Sequence, residues 1–123
     1  MTTTNRSLVG LAGAFAILFG GTAVTSVTAG EGASAAEEGK SIAFSRKKGN
    51  CLACHMMGDG ASPGNIGPPL VAMQARYPDK AKLRAQLYDP TTVNPESAMP
   101  PFGKHGILSE GELDKVLEFV WTL

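Results

Sequence analysis

The sequence lacks an excess of either charge, and it has few cysteines. Eleven Lys and Arg residues balance eleven Asp and Glu residues. A protein that binds nucleic acid through phosphate contacts needs net positive charge or a basic stripe, and only residues 46–48 form a basic cluster, so we expect no nucleic-acid partner. Two cysteines in 123 residues exclude a disulfide-dense scaffold. With 43% apolar and 18% charged residues, the chain is also too apolar for a disordered tail and typical of one small domain.

The first 35 residues are predicted to be an export signal that is removed. No charged residue occurs between Arg6 and Glu31, and the apolar segment 8–19 lies between them. The Ala-Ser-Ala sequence at 33–35 fits the small-x-small cleavage rule, and 27–29 is a weaker second site. The strongly apolar part is about a dozen residues, short of the roughly 20 that a membrane span needs, so an uncleaved anchor is the less favoured alternative. We therefore expect a periplasmic protein with no membrane attachment after cleavage.

Removal of the signal leaves residues 36–123, a domain of 88 residues. A chain this short builds only a marginal hydrophobic core. The sequence therefore predicts that something besides side-chain packing stabilises the fold.

Both cysteines belong to a C-x-x-C-H motif made by Cys51, Cys54 and His55, which is the attachment motif for c-type haem. Positions i, i+3 and i+4 of a helical turn lie on one side. Both thiols can then form thioethers with the haem vinyl groups, while the imidazole ligates the iron. We expect one covalently bound haem c, which would also supply the missing apolar core.

Three other uses of the cysteines fit less well. A redox C-x-x-C pair needs no histidine directly after it. A zinc site needs four ligands, and the sequence has no second Cys or His pair to complete one. A disulfide across two intervening residues is strained and adds little stability.

Met99 is predicted to be the second axial ligand of the iron. Two methionines directly follow His55 and cannot reach the opposite face of the ring, and Met73 fits the core face of a short helix at 70–77. Met99 lies instead in the proline-rich loop 94–103, which is extended and stiff. His105, Met73 and an open coordination site remain the alternatives.

The choice of ligand decides the chemistry. A His/Met pair fills both axial positions and raises the reduction potential, which suits one-electron transfer. An open or readily vacated site would instead indicate a gas sensor or a peroxidase.

The loop 58–69 is rich in Gly and Pro and is predicted to be irregular. A metal-bound histidine needs its other ring nitrogen held by an acceptor. The carbonyl of Pro68 in this loop is the acceptor that we expect for His55.

Helical patterns account for the rest of the chain. A first helix is predicted over 36–48, where Gly39 would let another helix approach closely. Asp79 is a predicted N-cap for a helix through 81–88, which ends before Pro90. The basic cluster 46–48 is expected to be solvated, with a docking patch for an acidic partner as the alternative.

The last helix has the clearest signal. Ser109 and Glu112 form an S-x-x-E capping box. An apolar stripe follows, which is expected to pack on the first helix and the haem edge. It consists of Leu113, Val116, Leu117, Val120 and Trp121, and Phe119 lies outside it. No strand alternation occurs, so the predicted architecture is all-α, with short helices around one haem.

These motifs together resemble a small class I cytochrome c over residues 36–123. The resemblance rests on C-x-x-C-H, on GPPL at 67–70, on MPPF at 99–102 and on the terminal helix. It implies the class I cytochrome c fold, with His55 and Met99 as iron ligands and the Pro68 carbonyl as acceptor for the His55 ring.

More narrowly, four segments resemble SoxX, the monohaem subunit family of the SoxAX thiosulfate-oxidation complexes. They are KGNCLACH at 48–55, GNIGPPL at 64–70, LRAQLYDP at 83–90 and MPPFGKHGIL at 99–108. The resemblance implies a heterodimer with a SoxA-like haem subunit, a SoxYZ-like sulfur carrier and a downstream electron acceptor. The reaction it implies is oxidative coupling of thiosulfate to a carrier cysteine, an L-cysteine S-thiosulfotransferase activity.

Counting cysteines limits what this chain does in such a complex. Sulfur transfer needs a free thiolate, and both thiols are committed to haem. The chain is therefore predicted to relay electrons without catalytic residues of its own. A free-standing shuttle cytochrome that feeds a terminal oxidase, and a haem enzyme or sensor with a displaceable Met99, are the alternatives.

Overall fold

The structure, a computed structural model, describes the backbone of residues 29–123 and the side chains of residues 34–123. Residues 1–28 of the predicted signal segment 1–35 lie outside these residues, and the other seven begin the first helix. Four helices follow in order: α1 (Ala29–Phe44), α2 (Met73–Arg76), α3 (Lys80–Tyr88) and α4 (Glu110–Trp121). One short 3-10 turn, Cys51–Ala53, lies between α1 and α2, and a second, Pro90–Thr92, follows α3. The described part of the chain has no strand, only an isolated bridge between Met57 and Leu70, which confirms the all-α prediction.

The crossing of α1 and α4 forms the centre of the fold. Gly39 lies against the backbone carbonyl of Lys115, where a Cβ atom would overlap it. The predicted close approach at Gly39 is therefore confirmed. The ring of Phe44 packs edge-on against Phe119, with 5.8 Å between centroids and 82° between planes.

The predicted bounds of the first helix are wrong, and the sequence did not predict the burial of Phe119. Helix α1 spans Ala29–Phe44, whereas the sequence predicted 36–48. It ends at Phe44 because the Gly49 N–H bonds the Ile42 carbonyl at 3.1 Å and turns the chain back toward the C-x-x-C-H segment. Phe119 is buried although it falls off the apolar stripe, because α4 buries a second face beneath Phe44.

The helix caps agree with the sequence. The Asp79 carboxylate accepts from the Ala81 N–H at 2.9 Å and starts α3, which ends at Tyr88 before Pro90. Both bonds of the capping box between Ser109 and Glu112 are present at the start of α4. Of the predicted stripe, Trp121 is half-buried beside the core, and the rest is buried. None of the helices in the described residues is long and apolar enough to cross a membrane.

Candidate functional site

The C-x-x-C-H residues lie on one tight turn. Asn50 adopts a left-handed conformation, with φ of 48°, and begins the 3-10 turn Cys51–Ala53. The Cys51 carbonyl then accepts from the N–H groups of Cys54 at 3.1 Å and His55 at 2.9 Å. The turn therefore brings both thiols and the imidazole to the same part of the molecule, as helical spacing predicts.

The His55 ring is held on one side by the irregular loop 58–69. Its Nδ1 atom lies 2.7 Å from the Pro68 carbonyl oxygen. Since a carbonyl only accepts, Nδ1 carries the proton, and Nε2 is the nitrogen that can bind a metal. This is the contact that the sequence predicted for Pro68.

Two further residues shape this loop, and sequence patterns do not reveal their contacts. A Cβ atom added at Gly67 would overlap the His55 ring, so only glycine allows the ring to lie where it does. Arg76 on α2 donates to the Pro69 carbonyl at 2.8 Å and fixes the peptide next to Pro68. An isolated glycine or arginine has no spacing signature, so neither contact could have been predicted.

The Cys51 thiol is poorly suited to act as a nucleophile. Burial raises the pKa of the Cys51 thiol to about 11, so it stays protonated near neutral pH. Both cysteines are free thiols and do not form a disulfide with one another. Among the described residues no cluster of three or more His, Cys, Asp and Glu side chains could hold a metal ion by itself. The zinc alternative therefore finds no support in this part of the chain.

A cleft joins the C-x-x-C-H turn to the Met99 loop. It consists of two adjoining cavities of about 330 Å³ and about 310 Å³. Six residues border both of them: Cys54, His55, Leu70, Leu87, Met99 and Val120. Cys51 borders the second cavity, so all four residues predicted to hold the cofactor meet at one cleft.

The alternative iron ligands are placed differently. Met73 is 2% exposed and belongs to the core, although it also borders the first cavity. His105 is exposed and borders neither cavity. Met99 is half-buried, and its backbone N–H bonds the Ser97 hydroxyl at 3.2 Å.

The cleft fits a haem group. Two free thiols, one imidazole with a fixed tautomer and one thioether border the same space, and the walls include Leu70, Leu87 and Val120. Binding cavities for large ligands span about 300–1,000 Å³ and are mostly apolar, which these two adjoining cavities satisfy. Both cysteine thiols would be used in thioether bonds to the haem. The imidazole of a histidine and the sulfur of a methionine are ligands of cytochrome c iron.

Comparisons with known proteins agree with this fit. The sequence model of the family described as cytochrome c oxidase, cbb3-type, subunit III matches residues 34–120. An uncharacterized lipoprotein of Aquifex aeolicus (strain VF5) is 37% identical over 76 residues. That match covers 60% of this chain and 36% of the relative, so the chain spans about a third of that protein's length.

Among solved structures, the crystal structure of SoxXA from P. pantotrophus is similar, with a TM-score of 0.63 and 29% sequence identity. The match covers 70% of this chain and 79% of that one. The class I cytochrome c fold and the resemblance to SoxX are confirmed.

Proposed function

The chain belongs to the family described as cytochrome c oxidase, cbb3-type, subunit III, and we propose that it is the electron-transfer subunit of a SoxAX-type thiosulfate-oxidation complex. Its family membership makes it a cytochrome c with an electron-transfer role, and its fold makes it SoxX-like. The observation that carries the proposal is the single cleft bordered by Cys51, Cys54, His55 and Met99. The similarity to SoxXA supports the choice of complex.

One haem c would occupy this cleft and supply reversible one-electron chemistry at its iron. Cys51 and Cys54 would hold it by thioethers, and His55 and Met99 would be its axial ligands. The Pro68 carbonyl keeps the proton on Nδ1 of His55, which reserves Nε2 for the iron. Leu70, Leu87 and Val120 in the walls of the cleft would shield the haem iron from water, which would favour a raised reduction potential.

The sulfur chemistry of the proposed complex belongs to partners. A thiolate must attack or accept sulfur, and the thiols of this chain would both be used in thioethers. A SoxA-like haem subunit is therefore the proposed partner, with a SoxYZ-like protein as the carrier and a downstream acceptor for the electrons. The predicted export signal 1–35 supports assembly in the periplasm.

Affinity purification from thiosulfate-grown cells tests the assignment. A tag at the C-terminus should recover a larger haem-bearing subunit in equal amount, identified by haem staining and mass analysis. Recovery of the tagged chain as a strictly monomeric cytochrome contradicts the proposal.

Iron ligation is tested separately on the purified ferric protein. The weak sulfur-to-iron band near the red end of the visible spectrum should be present in wild type and absent in Met99→Ala. Met73→Leu, which alters a buried core methionine, is the matched control and should retain the band. Loss of the band in Met73→Leu alone would make Met73 the ligand.

A second function is favoured by the description of the matched family, which names an oxidase subunit. In that case the chain would carry electrons to a terminal oxidase as a separate shuttle. Its zero net charge argues against this, since electrostatic docking of shuttles uses charged surfaces. Rapid oxidation of the reduced protein by a purified terminal oxidase, with no haem partner recovered, would favour the shuttle.

A further inference from the structure

The loop that carries Met99 is closed at its base by backbone contacts. The Tyr88 carbonyl, at the end of α3, accepts from the N–H groups of Gly103 at 3.2 Å and Lys104 at 3.1 Å. Gly103 also lies against the Tyr88 ring, where a Cβ atom would overlap it. Residues 89–102 therefore form a loop that begins and ends next to Tyr88, and Met99 lies within this loop.

An ion pair joins the same two ends of the loop. The Asp89 carboxylate lies 2.7 Å from Nζ of Lys104 and also accepts from the Thr91 N–H at 3.1 Å and from the Thr91 hydroxyl. Asp89 is the one charged residue buried among the residues whose side chains the structure describes. A buried carboxylate is stable only when paired, and the bond from Lys104, followed by that from Thr91, lowers its pKa.

A chain of local bonds connects this ion pair to Met99. Asp89 caps the 3-10 turn Pro90–Thr92, and the Pro90 carbonyl accepts from the Asn94 N–H at 3.0 Å. The Asn94 carbonyl accepts from the Ser97 N–H at 3.0 Å, and the Ser97 hydroxyl accepts from the Met99 N–H at 3.2 Å. The position of Met99 is thus linked to the start of the loop by successive short turns.

We propose that Asp89 and Lys104 form a clasp that positions Met99 and so determines how readily this ligand leaves the iron. The clasp rests on the ligation of iron by Met99 proposed above. Its two charges lie at opposite ends of one loop, so opening the loop separates them, whereas the Arg84–Asp114 pair joins α3 to α4 outside it. Loops with few buried contacts open with low free energy, and a bond across the base opposes that opening.

Imidazole binding to the ferric protein tests the clasp, because an added ligand reaches the iron only when Met99 departs. Asp89→Asn retains the cap of the 3-10 turn but loses the charge, and it should bind imidazole about tenfold more tightly than wild type. Lys104→Met, at an exposed position, should also bind imidazole about tenfold more tightly. The double variant should have nearly the same imidazole affinity as each single variant, because both substitutions remove the same interaction. The matched control Asp114→Asn removes a carboxylate outside the loop and should leave imidazole affinity unchanged.

The outcomes separate the clasp from the ligand assignment. Suppose that wild type shows the sulfur-to-iron band and Met99→Ala lacks it. If Asp89→Asn and Lys104→Met then bind imidazole as wild type does, the clasp is wrong and the ligation by Met99 stands. Equal tightening in the Asp114→Asn control would mean general destabilisation and also overturns the clasp. If wild type lacks the band, the Met99 assignment fails and the clasp fails with it. Should Asp89→Asn not fold, Lys104→Met alone decides.

Discussion

At the scale of single residues, the candidate site depends on contacts around one imidazole. The Pro68 carbonyl fixes the Nδ1 proton of His55, and Gly67 leaves room for the ring. The sequence singles out the cysteines and His55 because the C-x-x-C-H motif has a fixed spacing. The space at Gly67 could not be predicted, because it is defined by a ring twelve residues away in the chain.

Gly67→Ala should disturb the His55 ring directly. The added Cβ atom would overlap the imidazole, so either the ring or the loop must move. We expect a loss of about 1–3 kcal/mol in the free energy of unfolding, as for other overpacked sites, and a changed ferric spectrum. Denaturant titration and absorption spectroscopy of the holoprotein measure the two effects.

Gly111→Ala is the matched control, because a Cβ atom at this position in α4 meets no atom within 4 Å. It should stabilise the protein by up to about 1 kcal/mol, since alanine is the better helix former. A wild-type spectrum and stability in Gly67→Ala would show that the ring does not need this space.

At the scale of elements, local chemistry predicted both ends of α3 and the start of α4, but neither end of α1. Asp79 and Ser109 cap α3 and α4 as expected, because a cap needs only the bonds of its own first turn. The end of α1 depends on the bond from the Gly49 N–H to the Ile42 carbonyl. This bond turns the chain toward the C-x-x-C-H turn, so it depends on tertiary structure. Helical periodicity carries no information about such a return.

Helix α4 should respond to acid through one carboxylate. Glu112 accepts from Lys48 at 2.6 Å and from the Ser109 N–H at 3.0 Å, and these bonds, that from Lys48 first, lower its pKa to about 2. Its unfolded pKa is about 4.3, so the bonds stabilise the fold above that pH and are lost as the pH falls toward 2. Glu112→Gln should therefore lower Tm at pH 6, with a difference from wild type that vanishes near pH 2.

Thermal melts of the holoprotein across this pH range give the comparison. Glu37→Gln alters an exposed carboxylate on α1 and should change Tm little at either pH. A Glu112→Gln difference of the same size at pH 6 and pH 2 would show that charge on Glu112 contributes nothing.

The crossing of α1 and α4 should not tolerate a side chain at Gly39. The added Cβ atom would meet the Lys115 carbonyl, and two helix backbones cannot separate locally without losing packing on both sides. Gly39→Ala should lower the free energy of unfolding by about 1–3 kcal/mol or more in denaturant titration, despite the better helix propensity of alanine. Stabilisation like that expected for Gly111→Ala would mean that the helices cross elsewhere.

At the scale of the whole molecule, two separate segments of the chain meet at the cleft. The C-x-x-C-H turn and the Met99 loop both border it, and the apolar wall between them comes from Leu70, Leu87 and Val120. The all-α class could be predicted from sequence patterns, whereas the meeting of these two segments at one cleft required tertiary structure. The packing that remains without the cleft is mainly that of α1 on α4.

Protein that cannot attach haem should be largely unfolded. The double variant Cys51→Ala, Cys54→Ala keeps every helix-forming residue but removes both points of attachment, and the apolar walls of the cleft would then face water. The predicted domain 36–123 has 88 residues, and a domain of this size is only marginally stable. We expect far-UV circular dichroism of this variant to show no cooperative thermal transition and amide protons to exchange without protection, whereas the haem-loaded wild type melts cooperatively.

Adding free haem to the variant is the control for binding without thioethers, and it should restore helix only in part, because His55 and Met99 remain. A cooperative melt of the haem-free variant would show that α1, α4 and the buried side chains between them are a sufficient core.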